Sequence, residues 1–414
     1  MSLPDTPQAR PAGPGGEPFD QDPSRWGILA LLSLAMLLGM SAWFTASAAA
    51  PELQARWGLT SAEVGWLTAV VNLGFVAGTA VAALLNLADV IPSRVYFPAS
   101  ALLAASANAA LLVVPGFTAA LGVRFLTGFF LAGVYPPGMK MTATWFRSAR
   151  GLAIGTLVGA LTVGKATPYL MKALGGQAIA PVVLGASGAQ VTAGLLVLVL
   201  YHDGPYAFPR RSFSWGLVAR ILRHRPTMLA TGGYLGHMWE LYAMWTWVPA
   251  FLLAAAADAG GPGPALVEVL AFGAIAAGGL GCVWGGVAAD RMGRHRVVNL
   301  AMTVSGVCSL AVGLLFHAPF ALLVLVTWVW GFFVVADSAQ FSALVTEVAP
   351  ADAVGTALML QTSMGFLLAM VTIQGIPHVV GVVGWPLAFP VLALGPAAGI
   401  ASIRRLKAPQ RRRA

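Results

Sequence analysis

Charged side chains are scarce in this sequence, making up 9% of 414 residues. A soluble domain carries about a quarter, so these few cannot cover the surface of a soluble protein of this length. Cysteine is rarer still: Cys282 and Cys308 both lie inside apolar runs. That excludes a disulfide framework and leaves the two thiols as small packing groups. No Gly-Lys-Ser/Thr phosphate loop is present, which excludes ATP-driven work by this chain. No His/Cys cluster has metal-ligand spacing, so no metal or other cofactor is expected. The first 25 residues, MSLPDTPQARPAGPGGEPFDQDPSR, lack the apolar centre of a secretory signal. Their composition predicts a disordered cytoplasmic tail, followed by an uncleaved anchor.

Apolar residues fill the space that charge leaves, at 58% of the chain. A membrane span needs about 20 of them in a row. Twelve such runs can be marked: 26–49, 63–88, 93–114, 118–142, 151–173, 178–201, 227–256, 265–289, 297–316, 320–346, 353–377 and 385–403. The polar segment 202–226, with Arg210, Arg211, Arg220, Arg223 and Arg225, divides them into sets at 26–201 and 227–403. A basic tail, 404–414, closes the sequence. With the N-terminus inside, Arg10, Arg25, Arg94, Arg147, Arg150, the central arginines, Arg291, Arg294, Arg296 and the basic tail are all cytoplasmic. The outer loops keep Arg56 and Lys172. This positive-inside bias places both termini in the cytoplasm. It also assigns the net charge of +9 to topology and anionic lipid rather than nucleic acid.

Two loops share a pattern. After the eighth run, GGVAADRMGRHRVVN (285–299) contains Gly286, Asp290, Arg291, Gly293 and Arg294. After the second, NLADVIPSR (86–94) keeps Asp89 and Arg94 without the glycines. RGLAIG (150–155) and DAVGTAL (352–358) form a second corresponding pair. RFLTGFFLAG (124–133) places a glycine four residues after Arg124. Together these resemble the loop and fourth-span motifs of the major facilitator superfamily. WFRSARGLAIG (145–155) looks like the branch of organic anion symporters and cyanate-type permeases. The resemblance implies an all-α membrane protein of twelve transmembrane helices in two six-helix bundles related by a pseudo-two-fold axis. It implies a gating role for Asp89, Arg94, Gly286, Asp290, Arg291, Gly293 and Arg294. It also implies a buried role in proton coupling or substrate binding for Arg124. Plain topology anchoring would account for the same loop charges.

Five charged residues remain within the runs: Arg124, Lys140, Lys165, Glu240 and Asp337. Each costs roughly 2.5–3.5 kcal/mol at membrane depth unless it faces a partner or water. In HMWELYAMW (237–245), His237 and Glu240 stand three apart and share a helix face near Tyr234. That face suits the wall of an aqueous cavity, and equally a His–Glu tether between two helices. The cations fall in the first set of runs. The acids fall in the second, with Gln340 and Gln361 nearby. Arg124, Lys140, Lys165, Tyr234, His237, Gln340 and Gln361 are the candidate substrate ligands. Glu240 is the candidate proton carrier, and Asp337 its rival. Lys140 also fits snorkelling to the interface, and Asp337 fits bracing a broken helix.

The expected protein is a monomeric secondary transporter of the cell (inner) membrane, not an enzyme, moving a small solute by alternating access. Proton-coupled symport of a small anion is the leading form. Proton-coupled efflux of a drug-like solute is the alternative. A channel would more often carry a pore-loop filter or charged ring. Cysteines placed at Ser212 and Ala257 should react with an impermeant maleimide from opposite sides of the membrane. Reaction of both from outside would refute the topology.

Overall fold

The computed structural model describes residues 22–147, 149–175, 178–206 and 215–406; the side chains of residues 88, 89 and 215 are outside it. Most of the expected N-terminal tail, Arg210, Arg211 and residues 407–414 of the basic tail lie outside the described residues. Among the described residues the fold is helical, without strands. The first set of runs becomes α1 (Ser24–Gly39), α2 (Thr45–Ala48), α3 (Ala50–Trp57), α4 (Ser61–Leu84), α5 (Leu87–Val90), α6 (Ser93–Ala109), α7 (Phe117–Leu131), α8 (Tyr135–Ala143), α9 (Arg150–Gly175) and α10 (Ile179–Leu200). The central polar segment contains a short amphipathic helix, α11 (Trp215–Arg223). The second set becomes α12 (Arg225–Asp258), α13 (Pro264–Met292), α14 (Arg294–Leu314), α15 (Phe320–Ala336), α16 (Ser338–Val348), α17 (Val354–Val383) and α18 (Leu394–Arg405).

Ten helical segments among the described residues are long and apolar enough to cross a membrane. The other two expected runs take different forms. The first is cut after Gly39, leaving an apolar helix of 16 residues. The fifth is a 26-residue helix whose Gly, Thr and Lys content dilutes its apolar character. Runs four and ten are also broken. α8 starts with Pro136 and Pro137 in its first turn, where the missing N–H costs least. Asp337 separates α15 from α16.

Glycine decides how closely these helices approach, because a hydrogen in place of Cβ lets backbones touch. Gly151, Gly155 and Gly159 recur every fourth residue and face α13. A Cβ on Gly155 would lie 3.0 Å from the Cys282 carbonyl oxygen, and one on Gly159 would lie 2.7 Å from that of Gly279. A Cβ on Gly286 would lie 3.1 Å from the Gly151 oxygen. The helices before and after α11 therefore meet backbone to backbone along α9 and α13. They meet again where α4 packs on α17, with Gly65 against Gln374 and Trp247.

The same device joins α4 to α7. A Cβ on Gly128 would run into the Val71 carbonyl, and one on Gly74 into the Phe125 carbonyl. Six residues before Gly128, a Cβ on Gly122 would meet open space. The two α7 glycines should therefore respond oppositely to alanine. Gly128→Ala should destabilise the purified protein by about 1–3 kcal/mol through overpacking. Gly122→Ala should be neutral or stabilising by up to about 1 kcal/mol through helix propensity. Thermal unfolding in detergent reads both, and equal effects would contradict the packing.

Candidate functional site

The interruption between α1 and α2 leaves the Trp43 carbonyl without a backbone donor among the described residues and Ala42 O with only Thr45 as its local partner, and a buried carbonyl needs a donor. Arg124 supplies donors. Its Nη1 donates to Ala42 O at 3.0 Å and its Nη2 to Trp43 O at 2.5 Å. Its Nε donates to Leu67 O of α4 at 3.2 Å, and Nη1 also reaches Asn108 Oδ1 at 3.1 Å. Asn108 Nδ2 in turn donates to Val183 O and Ser187 Oγ of α10. The guanidinium is 0% exposed. Arg124 is a candidate substrate ligand by sequence; here four of its five N–H groups are engaged by the protein. Gly128, one turn on, admits the α4 backbone and so sets the depth at which Arg124 meets Leu67.

The break turns Trp43 toward α9. There Gly164 lets the helix approach the Leu37 carbonyl, which brings Lys165 onto the Trp43 ring. The ammonium lies 3.8 Å from the centroid of Trp43, 4.7 Å from Tyr242, 5.6 Å from Trp245 and 5.9 Å from Phe366. It donates a hydrogen bond to the Tyr242 hydroxyl. Among the described residues no carboxylate pairs with it, and Lys165 is 2% exposed. Cation–π attraction in a desolvated box replaces the counter-ion. Trp43 and Lys165 belong to the helices before α11; Tyr242, Trp245 and Phe366 belong to those after it. The box therefore bridges the two sets. Phe44, Phe75 and Tyr169 extend it, with Phe75 4.8 Å from Phe366 and Phe44 6.3 Å from Tyr169.

The acids form a separate group. His237 and Glu240 share a helix but do not pair with each other. His237 Nδ1 lies 2.9 Å from Asp337 Oδ1, at the α15–α16 break. Glu240 accepts from Ser305 Oγ at 2.8 Å and from Trp330 Nε1 at 2.7 Å. Residues three apart point in directions that differ by about 60° at 3.6 residues per turn, enough to reach different helices. Both groups are closed: His237 is 2% and Glu240 1% exposed, so the expected wet wall is absent in this conformation. Tyr234 lies 5.9 Å from the His237 ring and packs on Gly365 of α17. His237 Nε2 and both amide atoms of buried Gln361 have no hydrogen-bond partner. Lys140 is half-buried in the last turn of α8.

Gln340, a candidate ligand by sequence, is bonded within the protein here. Its Oε1 accepts from Arg294 Nη1 at 2.8 Å, and its Nε2 donates to Gly285 O at 3.3 Å. Arg294 Nε also donates to Glu347 at 2.6 Å. These bonds tie α13, α14 and α16 around the turn at Gly293, whose φ of +85° suits glycine. Asp290 sits beside the first turn of α9, 3.5 Å from where a Cβ on Gly151 would be. Free N–H groups and the helix dipole favour an anion there. Arg291 and Arg94 are exposed, and the Asp89 side chain lies outside the described residues.

The family model of the Major Facilitator Superfamily matches residues 31–373. The chain belongs to the major facilitator superfamily. This facilitator is a secondary transporter with a small-molecule substrate. Among solved structures, its fold is similar to that of a bacterial homolog of the human lysosomal transporter Spinster, in an inward-facing and unoccupied conformation. That match has a TM-score of 0.68 and 13% identity, over 93% of this chain and 95% of the other. A comparison with curated proteins gives no match.

The residues around the facilitator's buried ion carried little sequence signal. Tyr242 and Trp245, one turn apart after Glu240, read as ordinary core. Nothing in the chain pointed Trp43 at a lysine more than a hundred residues away. Ser305 and Trp330 were equally silent. If Arg124 braces the α1–α2 break, Arg124→Lys should fail although charge is kept. One ammonium cannot reach four acceptors at the α1–α2 break, α4 and α6, and each orphaned buried group costs about 1–3 kcal/mol. A large drop in unfolding temperature is expected. Unchanged stability with weakened substrate binding would return Arg124 to the ligands.

Proposed function

We propose that this transporter moves a small anion together with protons, by alternating access between two six-helix bundles in a twelve-span topology. It works as a monomer in the inner membrane, with both termini cytoplasmic. The observation that carries the reading is Lys165: a buried ammonium on the contact between the two sets of helices, with no carboxylate on it. A cation at this depth held only by ring faces and one hydroxyl gains from an anion that completes it. Bound anion would replace the Tyr242 hydroxyl as its partner. Gln361 and Tyr234 supply further polar contacts, and Lys140 attracts the anion from the cytoplasmic side. The Arg294–Gln340–Glu347 cluster and Asp290 against α9 act as the cytoplasmic gate.

The acids of the other bundle take the proton. Glu240 has both oxygens engaged by fixed donors from α14 and α15. Asp337 faces a second titratable group, His237, at a helix break. This favours the His237–Asp337 pair as the proton site and Glu240 as its neighbour in the same bundle. Reorientation is cheapest when substrate covers the ammonium and a proton covers the carboxylate, or when both sites are empty and internally paired. A ligand that changes which state is cheapest shifts the populations, and this links the two fluxes. The aromatic box favours one second reading, export of an organic cation that replaces the ammonium on Trp43.

Proteoliposomes with an imposed pH gradient test the scheme. One unit of gradient supports about tenfold accumulation by a one-proton carrier. Asp337→Asn should lose accumulation and keep substrate exchange, while Glu240→Gln keeps both in reduced form. The reverse pattern would move the proton to Glu240. Accumulation by both variants would end the proton-coupled reading. Lys165→Gln should abolish anion uptake, and faster cation efflux by that variant would favour the export reading.

A further inference from the structure

The geometry points to an aromatic monocarboxylate, a flat ring carrying a single carboxylate, as the substrate class of the Lys165 site. This rests on the anion reading above and narrows it.

Charge count is the first reason. Lys165 is the cation available inside the box, because the donors of Arg124 are committed to Ala42, Trp43, Leu67 and Asn108. One ammonium compensates one negative charge. A dicarboxylate, sulfate or phosphate would bring a second charge among the buried rings of Trp43, Tyr242, Trp245 and Phe366, at the cost of an unpaired buried ion.

The walls are the second reason. Ring faces carry negative quadrupole density, so they hold the ammonium well and repel a bare anion. A small hydrated anion such as nitrate would lose its water to π faces that give nothing back. An aromatic ring gains there by replacing one such contact: Phe75 lies 4.8 Å and Trp43 5.6 Å from Phe366, so these rings already pack on one another and a substrate ring enters as they part. Its carboxylate then sits on the ammonium rather than over a face.

Unused donors are the third reason. The indole Nε1 groups of Trp43 and Trp245 are buried without acceptors, and so is Nδ2 of Asn72, one turn before Phe75 on α4. A buried donor without an acceptor is costly. These groups belong to the residues that form or flank the box. A carboxylate with two oxygens offers acceptors for the ammonium and an indole together, which an organic cation cannot.

Binding to the purified full-length protein tests this, read by isothermal titration with benzoate, acetate, nitrate, phthalate, benzamide and benzylamine. Benzoate should bind about tenfold or more tightly than acetate, from the ring area it buries, and more tightly than phthalate and neutral benzamide. Lys165→Gln should abolish the preference of benzoate over benzamide. Trp43→Phe keeps the ring face but removes the N–H. It should weaken benzoate several-fold without changing benzamide, with unfolding temperature confirming that each variant is folded. Acetate or nitrate binding as well as benzoate would overturn the inference and leave the anion reading standing. Tighter phthalate would overturn the single-charge argument. Benzylamine as the best ligand, unharmed by Lys165→Gln, would overturn both readings. No binding by any of the six would also reject the aromatic class.

Discussion

Four hydrogen bonds from one guanidinium hold the centre of this molecule. A transmembrane helix that breaks inside an apolar environment exposes carbonyls that lipid cannot satisfy. Arg124 satisfies the Trp43 carbonyl and joins Thr45 on that of Ala42, and so supports the break after α1. Because the same group also holds Leu67 and Asn108, it fixes α1, α4 and α6 relative to one another. The break turns Trp43 inward, and Trp43 is the nearest ring to the Lys165 ammonium. A charge that would be prohibitive against lipid is thus held by a chain of dependencies that starts at a different charge.

Two ionic groups result, with different architectures. The Lys165 box is shared between the helices before and after α11, so any relative motion of those sets must change it. The His237–Asp337 pair and Glu240 lie within the later helices and break no inter-set contact when that motion occurs. α12 connects them: Tyr234 beside His237 and Tyr242 in the box are eight residues apart on one face, about 12 Å along the helix. α17 runs parallel in function, with Gln361, Gly365 and Phe366 passing from one group to the other. The glycine stripe of α9 and α13 supplies a smooth surface beside this line. Backbone contact without interlocking side chains is the kind of interface that can hold in one register and slide to another.

Much of the architecture was legible from composition and periodicity. Scarce charge, long apolar runs and the bias of arginine to alternate loops depend only on the transfer of each segment between water and lipid, which is local. The Asp290–Arg294 turn and the Arg124–Gly128 spacing were legible as sequence motifs, and the glycines of α9 and α13 proved to face one another as small residues in membrane helices commonly do. The pairings were not legible. His237 and Glu240 stood three residues apart and on a plausible common face, yet each found a partner on another element. Gln340 lay near the acids in the chain and went to Arg294 instead.

The sequence by itself thus determined that this protein lives in lipid, that its helices carry a few buried charges, and which residues those are. Tertiary structure alone decided which groups each charge meets. Arg124 and Lys165 look alike as buried cations in a sequence. One meets a helix break whose carbonyls absorb its donors, and the other meets four aromatic rings drawn from both ends of the chain. The physical reason is that desolvation is a property of the segment, whereas compensation depends on which groups from distant segments arrive within about 3 Å, and that is set by packing.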